Sequence, residues 1–273
     1  MKKTNLLFGA IGMVLIGGII FLNSCNKSGD SNLGNTSRLE LYLTDAPGNY
    51  KEVWIDIQKV MVNVGTDTSS NSKGWKEIPL LRPGLYNLLD FSNGADTIIA
   101  GADLPAGVVS QIRLVLGNNN HLVLKDNSEV PLTTPSSQQS GLKLNVHTEL
   151  IAGIPYALVL DFDASRSIVE TGEPGTYILK PVIRTFAKAA GGAIEGVVLP
   201  EQANANVLAI NNTNTLGTIP DSTGYFKFWG INANNYQLIF AADATTGYNS
   251  DTLNNINVKV GEVTIVDTVV LKK

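Results

Sequence analysis

Asp161 and Asp163 stand two residues apart in Leu160-Asp-Phe-Asp-Ala164. On a strand that spacing sends both carboxylates to one face and Leu158, Leu160 and Phe162 to the other. Close carboxylates suit a hard cation such as Ca²⁺, and Asp45 from the Thr44-Asp45 turn can add a further oxygen ligand. The alternative is structural: the aspartates accept backbone N–H bonds and hold turns, a reading favoured by the lack of a DxDxDG-type ligand loop. The same three residues admit a hydrolase, but a glycosidase needs a defined separation across the scissile bond that sequence spacing does not supply. His121 and His147 are the only histidines, and neither sits in an HExxH or CxxC-like context, so both read as surface strand residues. Ser140-Gly141 lacks the flanks of a G-x-S-x-G nucleophile elbow, and no Walker or dinucleotide glycine pattern occurs. Trp54, Trp75, Trp229, Tyr225 and Tyr248 offer flat faces for sugar stacking or, alternatively, area for cores and sheet edges. Trp229, after Phe226 and Phe228 at the Gly230 turn, is placed by this pattern at a loop end and is the ligand-binding candidate among them.

The elements that must position these residues are strands. Leu39, Leu41 and Leu43 alternate with Arg38, Glu40 and Tyr42, and Val53, Ile55 and Ile57 alternate with Trp54 and Asp56. Residues 44–49, Thr-Asp-Ala-Pro-Gly-Asn, predict a turn that joins the two runs as an antiparallel pair. The apolar phase then slips to Val60, Val62 and Val64, which predicts a bulge near Gln58-Lys59. Alternating runs recur at 112–116, 122–124, 142–146, 156–162 and 177–179, with helices expected only over 85–89 and 164–171. Many short strands punctuated by Gly, Pro and Asn imply an all-β chain. Lys188-Ala-Ala-Gly-Gly192 marks the expected domain boundary, and its Gly191-Gly192 pair permits independent motion unless a buried interface cancels it. Beyond it, candidate strands at 193–199, 205–210, 225–228, 236–241, 256–260 and 263–271 describe a small immunoglobulin-like or transthyretin-like sandwich.

Six ordered motifs carry a family resemblance: Leu41-Tyr-Leu-Thr-Asp-Ala-Pro-Gly48, Leu104-Pro-Ala-Gly107, Gln111-Ile-Arg-Leu114, Ser140-Gly-Leu-Lys-Leu144, Leu160-Asp-Phe-Asp-Ala164 and Tyr177-Ile-Leu-Lys-Pro-Val-Ile-Arg184. On them residues 37–188 resemble DUF4382, a bacterial and archaeal domain family whose resemblance implies architecture but no activity. Residues 192–273 are similar to the carboxypeptidase regulatory-like sandwich of exported Bacteroidetes proteins, through Ile194-Glu-Gly-Val-Val198, Asp221-Ser-Thr-Gly-Tyr-Phe226, Tyr236-Gln-Leu238, Gly247-Tyr248 and Val258-Lys-Val-Gly261. That resemblance implies a non-catalytic module of a carbohydrate-binding-like fold class and keeps glycan contact open. Asp96-Thr-Ile98, Asp221-Ser-Thr223, Asp251-Thr-Leu253 and Asp267-Thr-Val269 resemble the Bacteroidetes O-glycosylation sequon, which makes Thr97, Ser222, Thr252 and Thr268 candidate glycan acceptors.

At the N-terminus Lys2 and Lys3 precede a charge-free run from Leu6 to Leu22, followed by Asn23-Ser24-Cys25, where Cys25 is the only cysteine. This resembles a bacterial lipoprotein signal over 1–24, which implies a diacylglyceryl group on the Cys25 thiol; Asn23 departs from the small or aliphatic residue usual there. The alternative is a permanent anchor, since the run approaches the length of a spanning helix, though Gly9, Gly12, Gly17 and Gly18 weaken one. Residues 25–36 read as the lipidated cysteine and a flexible tether. By the enterobacterial sorting rule, Asn26 in place of aspartate implies the outer membrane.

Removing residues 1–24 takes away Lys2 and Lys3 and no acid, so 24 acidic residues stand against the bases that remain of the original 20, a surplus of about six. A mild acidic surplus excludes the clustered basic footprint of a nucleic-acid partner. The sequence therefore predicts two tandem β-sandwich domains behind a lipoprotein signal and tether, not an enzyme. It is held at the outer membrane by its lipid and contacts a glycan or another envelope protein, or serves as structural support.

Overall fold

A computed structural model describes residues 35–66, 74–135, 141–189, 191–212 and 214–273. The signal, Cys25, most of the tether and Ser140 lie outside these residues. The chain is all-β, its described strands running from β1 to β21 in sequence order with one short helix, α1.

The first sandwich has thirteen strands in the described residues: β1 (Thr36–Ala46), β2 (Glu52–Val64), β3 (Trp75–Ile78), β4 (Gly84–Asn87), β5 (Thr97–Pro105), β6 (Gly107–Leu116), β7 (His121–Val123), β8 (Glu129–Thr133), β9 (Leu142–Leu150), β10 (Tyr156–Asp163), β11 (Ile168–Glu170), β12 (Tyr177–Leu179) and β13 (Ile183–Ala187). Alternation in β1 buries Leu39, Leu41 and Leu43 on one face, and the same period in β10 buries Leu158, Leu160 and Phe162. These two strands lie side by side in parallel, Leu41 opposite Leu158, in a four-stranded sheet ordered β13-β10-β1-β5. Facing it is a nine-stranded sheet, β11-β12-β8-β7-β2-β6-β9, with β3 and β4 also on β2. Val53, Ile55, Ile57, Val60 and Val62 of β2 meet the leucines of β1 and β10 in one core, so the two sheets are closed face to face by apolar burial.

The second sandwich pairs β14 (Gly192–Leu199) with β17 (Tyr225–Ile231), β20 (Val263–Ile265) and β21 (Val269–Val270). Its other sheet is ordered β16-β15-β18-β19, from Thr215–Thr218, Asn206–Ile210, Asn234–Ala241 and Asp251–Val258. Ile194, Val198, Phe226 and Phe228 from one sheet interlock with Val207, Leu238 and Phe240 from the other in a separate core.

Several expectations need correction. β1 and β2 are not partners: they lie in opposite sheets, because both carry an apolar face that must meet across the core rather than within one sheet. The slip near Gln58-Lys59 is a register shift between Ile57 and Lys59 in the β2–β6 ladder. Residues 85–89 are divided between β4 and a 3-10 turn, Leu88–Phe91, and helix α1 (Ala164–Ser167) stops where Ile168 enters β11. β5 and β13 escaped the alternation criterion since neither shows a buried/exposed period; every residue of β13 is half-buried.

Candidate functional site

β13 is half-buried throughout because both of its faces are covered. Ile183 packs on the first core, while the alternate residues Arg184 and Phe186, continued by Lys188, face the second sandwich. The Arg184 guanidinium sits at the centre of this seam. Its Nε and Nη2 donate to Asp161 Oδ2 at 2.9 and 2.6 Å; Nη2 also donates to the Trp229 carbonyl at 3.0 Å and Nη1 to the Gly230 carbonyl at 3.1 Å. One planar fork thus joins a carboxylate of β10 to two backbone carbonyls of β17, the use for which guanidinium geometry is suited. Phe186 meets Trp229 edge-on with ring centroids 5.9 Å apart, and Gly230, at φ +61°, lets the backbone pass against the Phe186 ring. Lys188 Nζ bonds Asp96 at 3.0 Å and lies 3.7 Å from the centre of the Tyr42 ring.

A second contact reinforces the first. Thr44 Oγ1 lies 2.8 and 2.7 Å from the carbonyl oxygens of Phe91 and Ala95, which fixes the turn before β5. From that turn Asn93 receives a hydrogen bond from Thr218 Oγ1 at 3.2 Å, across the seam. Gly191 and Gly192, expected as a hinge, are crowded instead: a Cβ on Gly191 would collide with Gly230, and one on Gly192 with the Lys259 carbonyl. Glycine is required here for close backbone approach.

Asp45, Asp161 and Asp163 are brought together, lining one cleft of about 220 Å³ with Arg166, Lys227 and Trp229. That volume is below the roughly 300–1,000 Å³ of small-molecule sites. Each carboxylate already has work in the fold. Asp161 is held by Arg184. Asp163 caps α1, accepting from Arg166 N at 2.9 Å and Ser165 Oγ at 2.7 Å. Asp45 Oδ1 accepts from Ala164 N at 3.1 Å, while Oδ2 is enclosed without a hydrogen-bond partner. Among the described residues, no group of three or more His, Cys, Asp or Glu side chains is arranged to hold a metal ion. The countercharge facing Asp161 is the chain's own guanidinium.

Burial, and then the Asp161 carboxylate beside it, pushes the Asp45 pKa well above the usual carboxylate range. A carboxyl raised in the folded state contributes its full stability below the unfolded pKa, near 3.9, and loses it as pH climbs through the folded value. Asp45→Asn keeps the acceptor for Ala164 N and removes the charge. The expected result is a melting temperature equal to or above wild type at pH 8, with a flatter decline from pH 5 to pH 8, read by circular dichroism. An unchanged wild-type slope in the variant would show that Asp45 does not titrate this way.

The remaining candidates are dispersed. Trp229 is half-buried in the seam rather than at a free loop end. Trp54 donates to Glu52 at 2.7 Å and stacks on His121, Trp75 lies under Arg113, Tyr225 donates to Glu195, and Tyr248 lies under Lys273. Burial and the Glu195 bond push the Tyr225 hydroxyl up to about 12. His147 is exposed at a bulge of β9 with φ +51°. Ser222, Thr252 and Thr268 are exposed, and Thr97 is half-buried beside the Asp96–Lys188 pair.

Sequence reasoning did not find Arg184, Phe186 and Lys188 as a group; the signal was an Arg-x-Phe-x-Lys alternation out of phase with Ile183. It also missed a second seam cleft of about 410 Å³, where Tyr50 and Tyr177, 6.4 Å apart and edge to face, stand with Glu170 across from Asn206 and Leu208.

No curated protein matches the chain by sequence. Among solved structures it is similar to a type II cohesin–X-dockerin complex of Acetivibrio cellulolyticus, at 18% identity over 30% of this chain and 57% of that one, TM-score 0.25. It is also similar to the TIE protein of Bacillus anthracis, at 16% identity over 88% of this chain and 34% of that one, TM-score 0.24. A further likeness is to the major pilin subunit BcpA of Bacillus cereus, at 12% identity over 87% and 70%, TM-score 0.23. The chain spans less than two thirds of the first two. The first sandwich is matched over residues 36–181, more than half of the 273, by the family described as a domain of unknown function (DUF4382), and the chain belongs to that family.

Proposed function

We propose that this protein is a lipid-anchored envelope protein, cleaved before Cys25 and held at the outer membrane, whose two sandwiches act as one non-catalytic supporting or binding unit. The observation that carries the reading is the seam: Arg184 bonds both sandwiches at once, and the carboxylates around it are committed to structure. A hydrolase through Asp45, Asp161 and Asp163 would need two carboxyl groups free to act on a substrate between them. Here one is paired to Arg184, one caps a helix, and one is buried where charge is disfavoured. In this reading residues 192–273 form an accessory module of the carboxypeptidase regulatory-like kind. Lipid attachment has a direct test. The wild type is expected to take up a fatty-acid analogue and Cys25→Ala to take up none; labelling that persists in the variant would remove Cys25 as the anchor.

A carbohydrate-binding surface lipoprotein is the second reading, and the Tyr50–Tyr177 cleft favours it, since it combines aromatic faces, amide groups and a volume of about 410 Å³. A glycan array of the full chain should then give binding that Tyr177→Ala abolishes and Trp229→Ala leaves in place. Absence of any binding would leave the supporting role. Glycans on Thr97, Ser222, Thr252 or Thr268 would appear in the intact mass of protein purified from its host.

A further inference from the structure

Two uncharged turns lie where the chain enters β1. The β5–β6 turn is Leu104-Pro-Ala-Gly107 and the β9–β10 turn is Ile151-Ala-Gly-Ile-Pro155. Both are tied to the entering strand: Ala106 N donates to Asn35 O at 2.9 Å, Gly153 N to Thr36 O at 2.8 Å, and Ser37 Oγ to Ile154 O at 2.5 Å. The second turn closes on itself through Ile154 N and Ile151 O at 3.0 Å, with Gly153 at φ +76° in the third place, which only glycine occupies without strain. Its flanking isoleucines stay in solvent, Ile151 57% and Ile154 54% exposed, and Pro105 and Pro155 are exposed beside them.

Two features fit an apolar medium. The side chains carry no charge, and the Ala106, Gly153 and Ile154 amides are already bonded while Pro105 and Pro155 have none to satisfy, so their backbone loses little on leaving water. Position selects the occupant. Only ten residues, 26–35, separate Cys25 from this end, a reach of at most about 35 Å. The opposite end of β1 is a further 11 residues away, about 36 Å at the rise of a strand.

We propose that this end of the first sandwich is a lipid-contact foot, in which Ile151 and Ile154 enter the headgroup–acyl boundary of the membrane that holds Cys25. The proposal rests on the reading that Cys25 is acylated. Acylation and amide capping would leave no other thiol in the chain, so an introduced cysteine can carry an environment-sensitive dye. The full chain with Ile151→Cys, Ile154→Cys or, as the far-end comparator, Gly172→Cys is reconstituted in phosphatidylethanolamine–phosphatidylglycerol vesicles whose acyl chains bear nitroxide. Gly172 is exposed in the β11–β12 turn, with room for a Cβ. The wild type, dyed in parallel, sets the background from any unmodified Cys25, and fatty-acid labelling is read on the same samples.

Dye at 151 and 154 is expected to be quenched at least about threefold more than dye at 172. Acylated protein with equal, aqueous emission at all three positions would overturn the foot while the lipid anchor stands. Strong quenching at 151 and 154 without fatty-acid label would keep the foot and sink the anchor. Neither signal would overturn both.

Discussion

Arg184→Ala is expected to lower the melting temperature by about 5–10 °C. The substitution leaves Asp161 as a buried carboxylate without its partner and two carbonyls, of Trp229 and Gly230, without their donors. Breaking a fully buried pair costs about 3–5 kcal/mol. Arg184 is 30% exposed and Asp161 12%, so about 2–3 kcal/mol is the figure for this pair. The deficit has a pH signature. Burial raises the Asp161 pKa and Arg184 opposes that rise, so the variant's pKa climbs further. A raised carboxylate pKa costs stability as pH increases, hence the gap between variant and wild type should be small near pH 4 and widen toward pH 8. Scanning calorimetry across that range checks it; a gap independent of pH would mean that Asp161 is not the group left unpaired. Arg184→Lys should recover only part of the loss, since an ammonium keeps the charge but not the fork that reaches two carbonyls.

Gly230→Ala is expected to open the seam. The backbone there is left-handed at φ +61°, which costs a side chain about 1–2 kcal/mol, and the new methyl would overlap the Phe186 ring itself. Relief requires Phe186 to leave Trp229 and Arg184, so the full cost should exceed about 3 kcal/mol. Removing the ring isolates the steric part. Phe186→Ala combined with Gly230→Ala should be less destabilised than the two single losses predict, with a coupling above about 1 kcal/mol in a double-mutant cycle by urea unfolding. Gly247→Ala is the internal control: its φ is +74° but nothing lies within 4 Å of the added Cβ, so only the backbone penalty applies. Limited proteolysis near Lys188 should accelerate in Gly230→Ala and not in Gly247→Ala. Equal effects of the two substitutions would remove the steric role of Phe186.

These consequences rest on a seam that alternation could not reveal. Where one face of a strand meets a core and the other meets solvent, period two is written directly in the residues. Leu39, Leu41 and Leu43, and Leu158, Leu160 and Phe162, were legible as strands for that reason, as was the bulge between Ile57 and Lys59. Local chemistry also announced the turns. Asp163 caps α1, and Asp221 Oδ1 takes the Thr223 and Tyr225 amides at 2.8 and 3.1 Å in the Asp221-Ser-Thr-Gly turn. Asp45, Asp161 and Asp163 were grouped on carboxylate chemistry alone; the parallel pairing of β1 with β10 that places Thr44 opposite Asp161 was not legible, because the Thr44-Asp45 turn read as the link between β1 and β2.

What those carboxylates do was decided by the tertiary structure. Arg184 is 23 positions from Asp161 and more than 40 from the carbonyls of Trp229 and Gly230, so no local pattern links them. The second sandwich covers the outer face of β13, and that cover turns Trp229 into a seam residue, while Gly191 and Gly192 are close-packed against Gly230 and Lys259 of the second sandwich itself. Strand identity follows from each residue's preference for core or water, which is a property of the sequence. Which sheets face one another, and which charges meet there, depends on the free energy of contacts that exist only once both sandwiches have formed.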